Sequence, residues 1–218
     1  MAKKEKNGVR GMSGQILAVK VNDVTLKLQQ NTIFTGVSFE VNRGEILGLM
    51  GRNGTGKTML LRCIEGLIPA TEGDITVNGK RIRKDCDFAP ETAFVIEPSG
   101  FLTSYSAFDN LRFLISLEKK VDENEIRSVL QIVGLDPLSK KKVRCYSKGM
   151  LQRLNIAQVM LSKPRVLLLD EPMNGLDFDG VQMLRNYLKT FASYGGSVLI
   201  ASHYKEDMEG LCDHVYKM

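Results

Sequence analysis

The chain has 218 residues, of which 43% are hydrophobic and 25% are charged, a composition typical of a soluble globular protein. No apolar run reaches the ~18 residues of a membrane-spanning helix, and residues 1–15 are too polar for a signal peptide, so we expect neither. The net charge of +5 does not distinguish a nucleic-acid or membrane partner from solvated lysines, and the four scattered cysteines favour a reducing cytoplasm over a disulfide framework or zinc site.

In chain order, residues 1–14 predict a disordered basic arm, and apolar residues then alternate with polar ones from residue 16 to residue 41. A period of two is typical of strands that have one solvated face. A turn at residues 42–44 is followed by a buried strand at residues 45–50, which leads directly into a glycine-rich segment.

This glycine-rich segment has the pattern G-x-x-x-x-G-K-[ST] of a phosphate-binding loop, placed between a predicted strand and a predicted helix as the motif requires. Its glycines allow backbone N–H groups to surround an anion, and the positive end of the following helix points to the same place. We expect Lys57 to reach the β- and γ-phosphates and the Thr58 hydroxyl to bind Mg²⁺. The whole segment is Gly51, Arg52, Asn53, Gly54, Thr55, Gly56, Lys57 and Thr58.

Further along, an Asn-Gly turn at residues 78–79 predicts a hairpin that joins the N-terminal strands in a small antiparallel sheet. A buried strand at residues 93–96 precedes a helical insertion, about residues 98–163, whose first two helices begin at capping boxes. Core strands resume at residues 166–169 and 197–201. The alternation of strands and helices predicts an α/β fold: a P-loop NTPase core with a mostly parallel sheet, a small antiparallel β subdomain and an inserted helical subdomain. We expect residues 15–218 to form one nucleotide-binding domain.

The strand at residues 166–169 ends in Asp170 and Glu171, at the edge where ligands bind in an open α/β sheet. Asp170 fits the acid that holds Mg²⁺, and Glu171 fits the group that polarises the attacking water. Acids at strand ends are common, so the pair is informative because a phosphate-binding loop precedes it.

The segment at residues 146–153 resembles, in variant form, the L-S-G-G-Q signature motif of ATP-binding cassette (ABC) ATPases. A D-loop at residues 174–177 and a switch histidine, His203, follow in the order of that family. Taken alone, Ser147 and Asp177 are typical helix caps and His203 is a typical strand-end histidine. Their common order supports the resemblance, which runs from about Val19 to the C-terminus.

The resemblance implies the ABC ATPase fold, hydrolysis of ATP with Mg²⁺, and a homodimer or heterodimer in which ATP lies between two head-to-tail copies. It also implies separate transmembrane permease subunits at the cytoplasmic face of the cell membrane and no nucleic acid. The implied catalytic residues are Lys57, Glu171 and His203. Beyond the phosphate-binding loop, the implied nucleotide contacts are Leu28, Ser147, Lys148, Gly149, Met150 and Asp177, and the implied metal ligands are Thr58, Asp170 and Glu97.

Two positions depart from the usual family pattern. Glu97 stands where a glutamine usually contacts Mg²⁺, and it remains an oxygen ligand with an added negative charge. Leu28 stands near the aromatic residue that usually stacks on adenine, so we expect loose base selectivity unless another aromatic, such as Phe34, stacks instead. The Glu-Pro pair at residues 97–98 and the variant signature resemble the subfamily that exports bacitracin and lantibiotic peptides.

Other readings stay open. A soluble ABC ATPase that acts on ribosomes or DNA is an alternative, although translation-factor members carry two cassettes and DNA-repair members insert long coiled coils. A catalytically weak regulatory cassette is disfavoured because Lys57, Asp170, Glu171 and His203 are all present. The family usually continues with a further strand after residue 218, so we expect a frayed C-terminal edge or a shortened chain. We interpret His214 as structural or solvated.

Overall fold

A computed structural model describes residues 16–95, 100–117 and 122–218. The predicted basic arm at residues 1–14 lies outside these ranges, and the predicted domain bounds stay a prediction. The elements in chain order are β1 (Leu17–Leu28), β2 (Asn31–Asn42), β3 (Ile46–Met50), α1 (Lys57–Glu65), β4 (Glu72–Val77), β5 (Lys80–Arg81), β6 (Thr92–Val95), α2 (Ala107–Ser116), α3 (Glu123–Ile132), α4 (Lys148–Ser162), β7 (Val166–Asp170), α5 (Phe178–Ser193), β8 (Ser197–Ser202) and β9 (His214–Lys217).

The N-terminal strands form an antiparallel sheet in the order β2-β1-β4-β5. The hairpin between β4 and β5 turns at Asn78 and Gly79, both of which have positive φ angles, 47° and 78°. Positive φ at both central residues is the geometry of a two-residue hairpin turn that matches the twist of its strands. The predicted hairpin and small antiparallel sheet are confirmed.

The second sheet is parallel, in the order β6-β7-β8-β3-β9, and its inner strands β7, β8 and β3 are buried on both faces. Successive residues of a strand point to opposite faces. In β7, Leu167 and Leu169 therefore pack with helices α2 to α5, whereas Leu168 packs with α1 and the antiparallel sheet. The result is a three-layer arrangement, which confirms the predicted α/β class.

Helices α2, α3 and α4 lie between β6 and β7 in the chain and pack on one another. The predicted caps are present: the Ser106 hydroxyl accepts from the backbone N–H of Asp109, and the Asp122 carboxylate accepts from that of Glu125. Such caps satisfy N–H groups that the first helical turn leaves without partners. A single 3₁₀ turn, Val143–Cys145, leads into α4.

The C-terminal edge is paired rather than frayed, contrary to the expectation from the sequence. Strand β9 runs parallel to β3, and the Asp213 carboxylate accepts from the backbone N–H of Ile46 at 2.8 Å. Most side chains of β9 are exposed, including His214, whose side chain is 64% exposed. Within β9 only Tyr216 is partly buried, where its ring packs against Phe39, and one such residue gives no clear hydrophobic period, so the sequence did not reveal this strand.

Candidate nucleotide site

The phosphate-binding loop joins the carboxyl end of β3 to the start of α1. Strand β3 lies inside the parallel sheet, between β8 and β9. Gly56 is the N-cap of α1, with φ +94°, and no side chain caps this helix end. The N–H groups of the first turn are thereby available to an anion, which the helix dipole also favours. This is the geometry that the sequence motif predicts.

Gly56 also brings the loop close to the antiparallel sheet. A Cβ at this position would lie 2.9 Å from side-chain atoms of both Ile33 and Phe34 on β2. Since real Cβ contacts are not this short, only glycine fits here, quite apart from its positive φ. Phe34 is 8% exposed and packed in the core, so it does not offer a free ring face for stacking on a base.

Lys57 is buried but its charge is well partnered. Its Nζ donates to the carbonyl oxygens of Gly51 at 2.7 Å and Arg52 at 3.3 Å, and lies 3.8 Å from Oε1 of Glu171. A buried ammonium requires such partners because desolvation penalises an unpaired charge. The lysine therefore folds back over its own loop, at the place where a phosphate would offer oxygen acceptors instead.

Thr58 and Asp170 form the part of the site suited to a cation. The Thr58 hydroxyl donates to Oδ2 of Asp170 at 2.6 Å, while Oδ1 of Asp170 is buried with no hydrogen-bond partner. Burial raises the pKa of Asp170, opposed by the bond from Thr58 and the charge of Lys57. An unpartnered buried carboxylate oxygen beside a hydroxyl is an oxygen donor set of the kind that Mg²⁺ prefers, so these residues fit the ion.

Glu171 follows Asp170 in a left-handed backbone conformation, with φ +47°. Its N–H donates to the carbonyl of Ala201 on β8. Oε1 lies 2.8 Å from Nδ1 of His203, and Oε2 lies 3.2 Å from the Ser202 hydroxyl. The ends of β7 and β8 thus hold the carboxylate from two sides beside Lys57, as the parallel sheet predicts.

The predicted signature residues form a second group, centred on the start of α4. The Ser147 hydroxyl accepts from the backbone N–H of Met150, the next turn of the helix. A Cβ on Gly149 would lie 2.5 Å from the Gly175 carbonyl, and the Lys148 side chain lies alongside Gly175 as well. The signature segment therefore packs directly against the D-loop.

Asp177 at the end of the D-loop is the N-cap of α5. Its carboxylate accepts from the backbone N–H of Gly180 at 2.9 Å and from Arg153 of α4 at 2.6 Å. These bonds, the Gly180 bond first, lower the pKa of Asp177. Residues 171–177 connect the two groups, because Glu171 contacts His203 at one end and Asp177 contacts Arg153 at the other.

The remaining predicted residues have mixed outcomes. Leu28, at the end of β1, is 39% exposed, so its side chain is available to a ligand. Glu97 lies outside the described residues, and its metal role stays a prediction. The loop residues Arg52, Asn53, Gly54 and Thr55 lie where predicted, with a bond from the Thr55 hydroxyl to the Arg52 carbonyl closing the turn.

Three residues near the site had no role assigned from the sequence: Arg153, Ser202 and Asp207. Arg153 bridges Asp177 and the Val133 carbonyl, and Ser202 contacts both Glu171 and Asp207. No spacing signals these contacts, since they form between separate elements. Of the three residues, only Ser202 has a signal in the sequence, because it is a polar residue at the end of a buried strand.

Comparisons with known proteins identify the family. The family model described as ABC transporter matches residues 34–174. YybJ of Bacillus subtilis (strain 168), described as an uncharacterized ABC transporter ATP-binding protein, is 41% identical over 92% of this chain and 92% of its own length. The chain belongs to the ABC transporter family. It is therefore a P-loop ATPase that binds nucleotide.

Two other ABC transporter relatives are named for what they transport. The lantibiotic transport ATP-binding protein SrtF of Streptococcus pyogenes is 33% identical over 90% of this chain and 85% of SrtF. The bacitracin transport ATP-binding protein BcrA of Bacillus licheniformis is 36% identical over 90% of this chain, which spans 65% of BcrA. The predicted resemblance to the bacitracin and lantibiotic group is confirmed.

A solved structure described as the ATP binding subunit of an ABC transporter superposes with a TM-score of 0.81. It is 26% identical and covers 92% of this chain and 85% of the solved chain. The ABC ATPase fold expected from the motifs is confirmed. Within the ranges that the structure describes, no helix is long and apolar enough to cross a bilayer.

Proposed function

We propose that this ABC protein hydrolyses ATP to power export across the cell membrane through separate permease subunits, from the cytoplasmic face. The observation that carries the proposal is the cluster of hydrolytic groups at the ends of β3, β7 and β8. Oε1 of Glu171 lies 3.8 Å from Nζ of Lys57 and 2.8 Å from Nδ1 of His203, and Asp170 precedes Glu171 in the chain. Such a site favours an active motor over a catalytically weak regulatory cassette.

The residues of the site have separable roles in this proposal. Lys57 and the N–H groups at the start of α1 bind the phosphates, while Thr58 and Asp170, with Glu97, hold Mg²⁺. The bound cation neutralises charge that develops on the phosphates. Glu171 orients a water for attack, and His203, 2.8 Å from its Oε1, holds that carboxylate in place.

The working unit that we propose is a head-to-tail dimer. Ser147 caps the start of α4 at Lys148, and the positive end of this helix dipole suits a γ-phosphate. In one copy, however, the signature segment packs against its own D-loop at Gly175. We therefore infer that the signature of a second copy, identical or related, completes the phosphate shell, with Lys148, Met150 and Asp177 lining the same interface.

A groove on the helical layer is the proposed permease contact. It has a volume of about 680 Å³ and its lining includes the exposed apolar side chains of Leu102, Tyr105 and Phe113, with Arg112 and Lys142 beside them. A short amphipathic helix fits a groove of mixed apolar and charged lining. Closure of the dimer on ATP would move this groove, and hydrolysis would release it, which couples the chemistry to the permease.

An antimicrobial peptide is the proposed cargo. SrtF and BcrA are named for lantibiotic and bacitracin transport, and their similarity extends over 90% of this chain. The peptide itself would be bound by the permease, and this chain would supply the energy.

The test is purification of the full-length tagged chain from its native membranes in mild detergent, with co-purifying proteins identified by mass. We expect a stoichiometric polytopic membrane protein. Phe113→Asp should abolish its recovery because it places a charge in the groove, whereas Tyr194→Asp, at an 88% exposed aromatic outside the groove, should not. Recovery of ribosomal proteins or nucleic acid without a membrane protein would contradict the proposal.

A further inference from the structure

The Ser202 hydroxyl lies between two carboxyl groups at the end of β8. Ser202 is fully buried, and its Oγ lies 3.2 Å from Oε2 of Glu171 and in close contact with Oδ2 of Asp207. The same oxygen accepts from the backbone N–H of Tyr204 at 3.1 Å. Three polar groups therefore converge on one buried hydroxyl.

The hydrogen-bonding capacity of serine decides how these contacts are made. A hydroxyl has one proton to donate and two lone pairs to accept with. The Tyr204 N–H occupies one lone pair. If both carboxyl groups were ionised, the single Ser202 proton would serve only one of them, and the other would face a lone pair. All three contacts are favourable only when one carboxyl group is protonated and donates to Ser202.

Of the two carboxyl groups, Asp207 has the surroundings that favour this proton. It is half-buried, and burial raises its pKa, an effect that the charge of Glu171 increases, while the bond to Ser202 and the charge of His203 oppose it. Glu171 instead has two nitrogen groups beside Oε1, from His203 and Lys57. Other ionisable groups surround Asp207 from three elements and from its own segment. Glu171 follows β7, His203 follows β8, and Arg185 of α5 donates to the Asp207 carbonyl. Glu206 and Cys212 lie on the same segment as Asp207.

We propose that Asp207 is a positioning residue for ATP hydrolysis: its carboxyl group donates to Ser202 Oγ, and Ser202 in turn donates to Oε2 of Glu171. Glu171 is then fixed at both oxygens, by His203 at Oε1 and by Ser202 at Oε2. Its orientation toward the attacking water is set by the protein alone. The inference rests on the proposed role of Glu171 in hydrolysis and does not depend on the permease.

The test measures kcat and KM for ATP hydrolysis with Mg²⁺ in the full chain and in its variants. Thermal unfolding curves are recorded first, to show that each variant is folded as the wild type is. Asp207→Ala should lower kcat by up to about tenfold, the upper value for a hydrogen bond between uncharged groups, with KM unchanged because the phosphates are bound elsewhere. Asp207→Asn should retain most of the activity, since its amide N–H₂ still donates to Ser202. Glu206→Gln, which removes the neighbouring exposed charge, should match the wild type.

Two further readouts separate positioning from a structural role. Adding Asp207→Ala to Ser202→Ala should cause no further loss, because Asp207 acts only through Ser202. Wild-type kcat should fall as pH rises through the pKa of Asp207, since an ionised Asp207 takes the Ser202 proton away from Glu171, and Asp207→Asn should lack this change. Additive losses, or an Asn variant as slow as the Ala variant, would overturn the inference.

A Glu171→Gln variant separates the proposed role of Glu171 from the proposed role of Asp207. If Glu171→Gln hydrolyses ATP at the wild-type rate, the proposed role of Glu171 fails, and this inference fails with it. If Glu171→Gln is slow but Asp207→Ala is as fast as the wild type, only the role of Asp207 is overturned.

Discussion

The Thr58 hydroxyl donates to Oδ2 of Asp170 across 2.6 Å, although 112 positions separate the two residues in the chain. The bond joins the start of α1 to the end of β7, and it leaves the second oxygen of Asp170 buried and unpartnered. One protein contact thus aligns two of the proposed Mg²⁺ ligands, Thr58 and Asp170, which is the preorganisation that a metal-assisted reaction needs.

Thr58→Val should weaken Mg²⁺-dependent ATP binding about tenfold or more. The substitution keeps the shape of the side chain but removes both a metal ligand and a hydrogen bond to a charged group, which is worth about 1.5–3 kcal/mol. Titration of a fluorescent ATP analogue with and without Mg²⁺ measures the effect. Thr58→Ser retains the hydroxyl and should bind as the wild type does. Equal Mg²⁺ dependence in the valine variant would contradict the assignment.

Glu171→Gln should give a dimer that is stable in ATP and Mg²⁺, with hydrolysis reduced by roughly 10²–10⁴-fold, the usual contribution of a positioned acid–base group. The amide keeps the size of the side chain, so nucleotide binding at Lys57 persists while turnover stops. Sedimentation velocity with ATP and Mg²⁺ measures the dimer. Addition of Lys57→Ala should return it to monomer. A monomer in ATP for Glu171→Gln alone would contradict a dimer of two identical copies.

The sequence predicted the local parts of the site and the fold that assembles them. The phosphate-binding loop is one continuous segment, and Asp170, Glu171 and His203 follow strands whose carboxyl ends must meet at one edge of a parallel sheet. Local spacing and one topological rule were therefore sufficient to bring them together.

Contacts between separate elements could not be predicted in the same way. Asp207 reaches Ser202 from an irregular segment, and Arg153 reaches Asp177 from another helix, with no periodicity to mark either pair. Strand β9 is held by main-chain bonds to β3, by Asp213 and by the packing of Tyr216 on Phe39, so a single side chain marks its inward face. In each case the partner is fixed by tertiary packing rather than by spacing along the chain.

Leu28→Tyr should increase ATP affinity at least about fivefold and raise the preference for ATP over GTP. The wild-type side chain is 39% exposed and apolar, and base–aromatic stacking contributes about 1–3 kcal/mol. Competition of GTP against a labelled ATP analogue measures selectivity, and GTP should compete nearly as well as ATP in the wild type. Leu17→Tyr, at the other end of β1, is the control and should change neither value. A strong wild-type preference for ATP would show that another group selects the base.

Gly149→Ala should lower both stability and ATP turnover. Its Cβ would lie 2.5 Å from the Gly175 carbonyl, so the signature helix and the D-loop must separate, at a cost of about 1–3 kcal/mol in the free energy of unfolding. Urea unfolding and steady-state hydrolysis measure the two effects. Gly100→Ala, where the added methyl meets open space, is the matched control. If the Gly149 variant has the same free energy of unfolding as the wild type, the signature helix and the D-loop accommodate the added methyl group without strain.

Asp177→Asn should destabilise the fold at neutral pH, and the difference should disappear in acid. The bonds from Gly180 and Arg153 lower the pKa of Asp177 in the folded chain. A group with a depressed folded pKa contributes stability above its unfolded pKa, about 3.9 for aspartate, and loses it as the pH falls through the folded value. The difference between the urea midpoints of wild type and variant should therefore stay the same down to about pH 5. The two midpoints should converge as the pH falls below about 3.9. Asp179→Asn, in the same helical turn, should show a smaller difference, because the N-cap position and the bonds from Gly180 and Arg153 belong to Asp177. A gap between wild type and Asp177→Asn that persists unchanged in acid would mean that the charge on Asp177 does not hold the D-loop to α4.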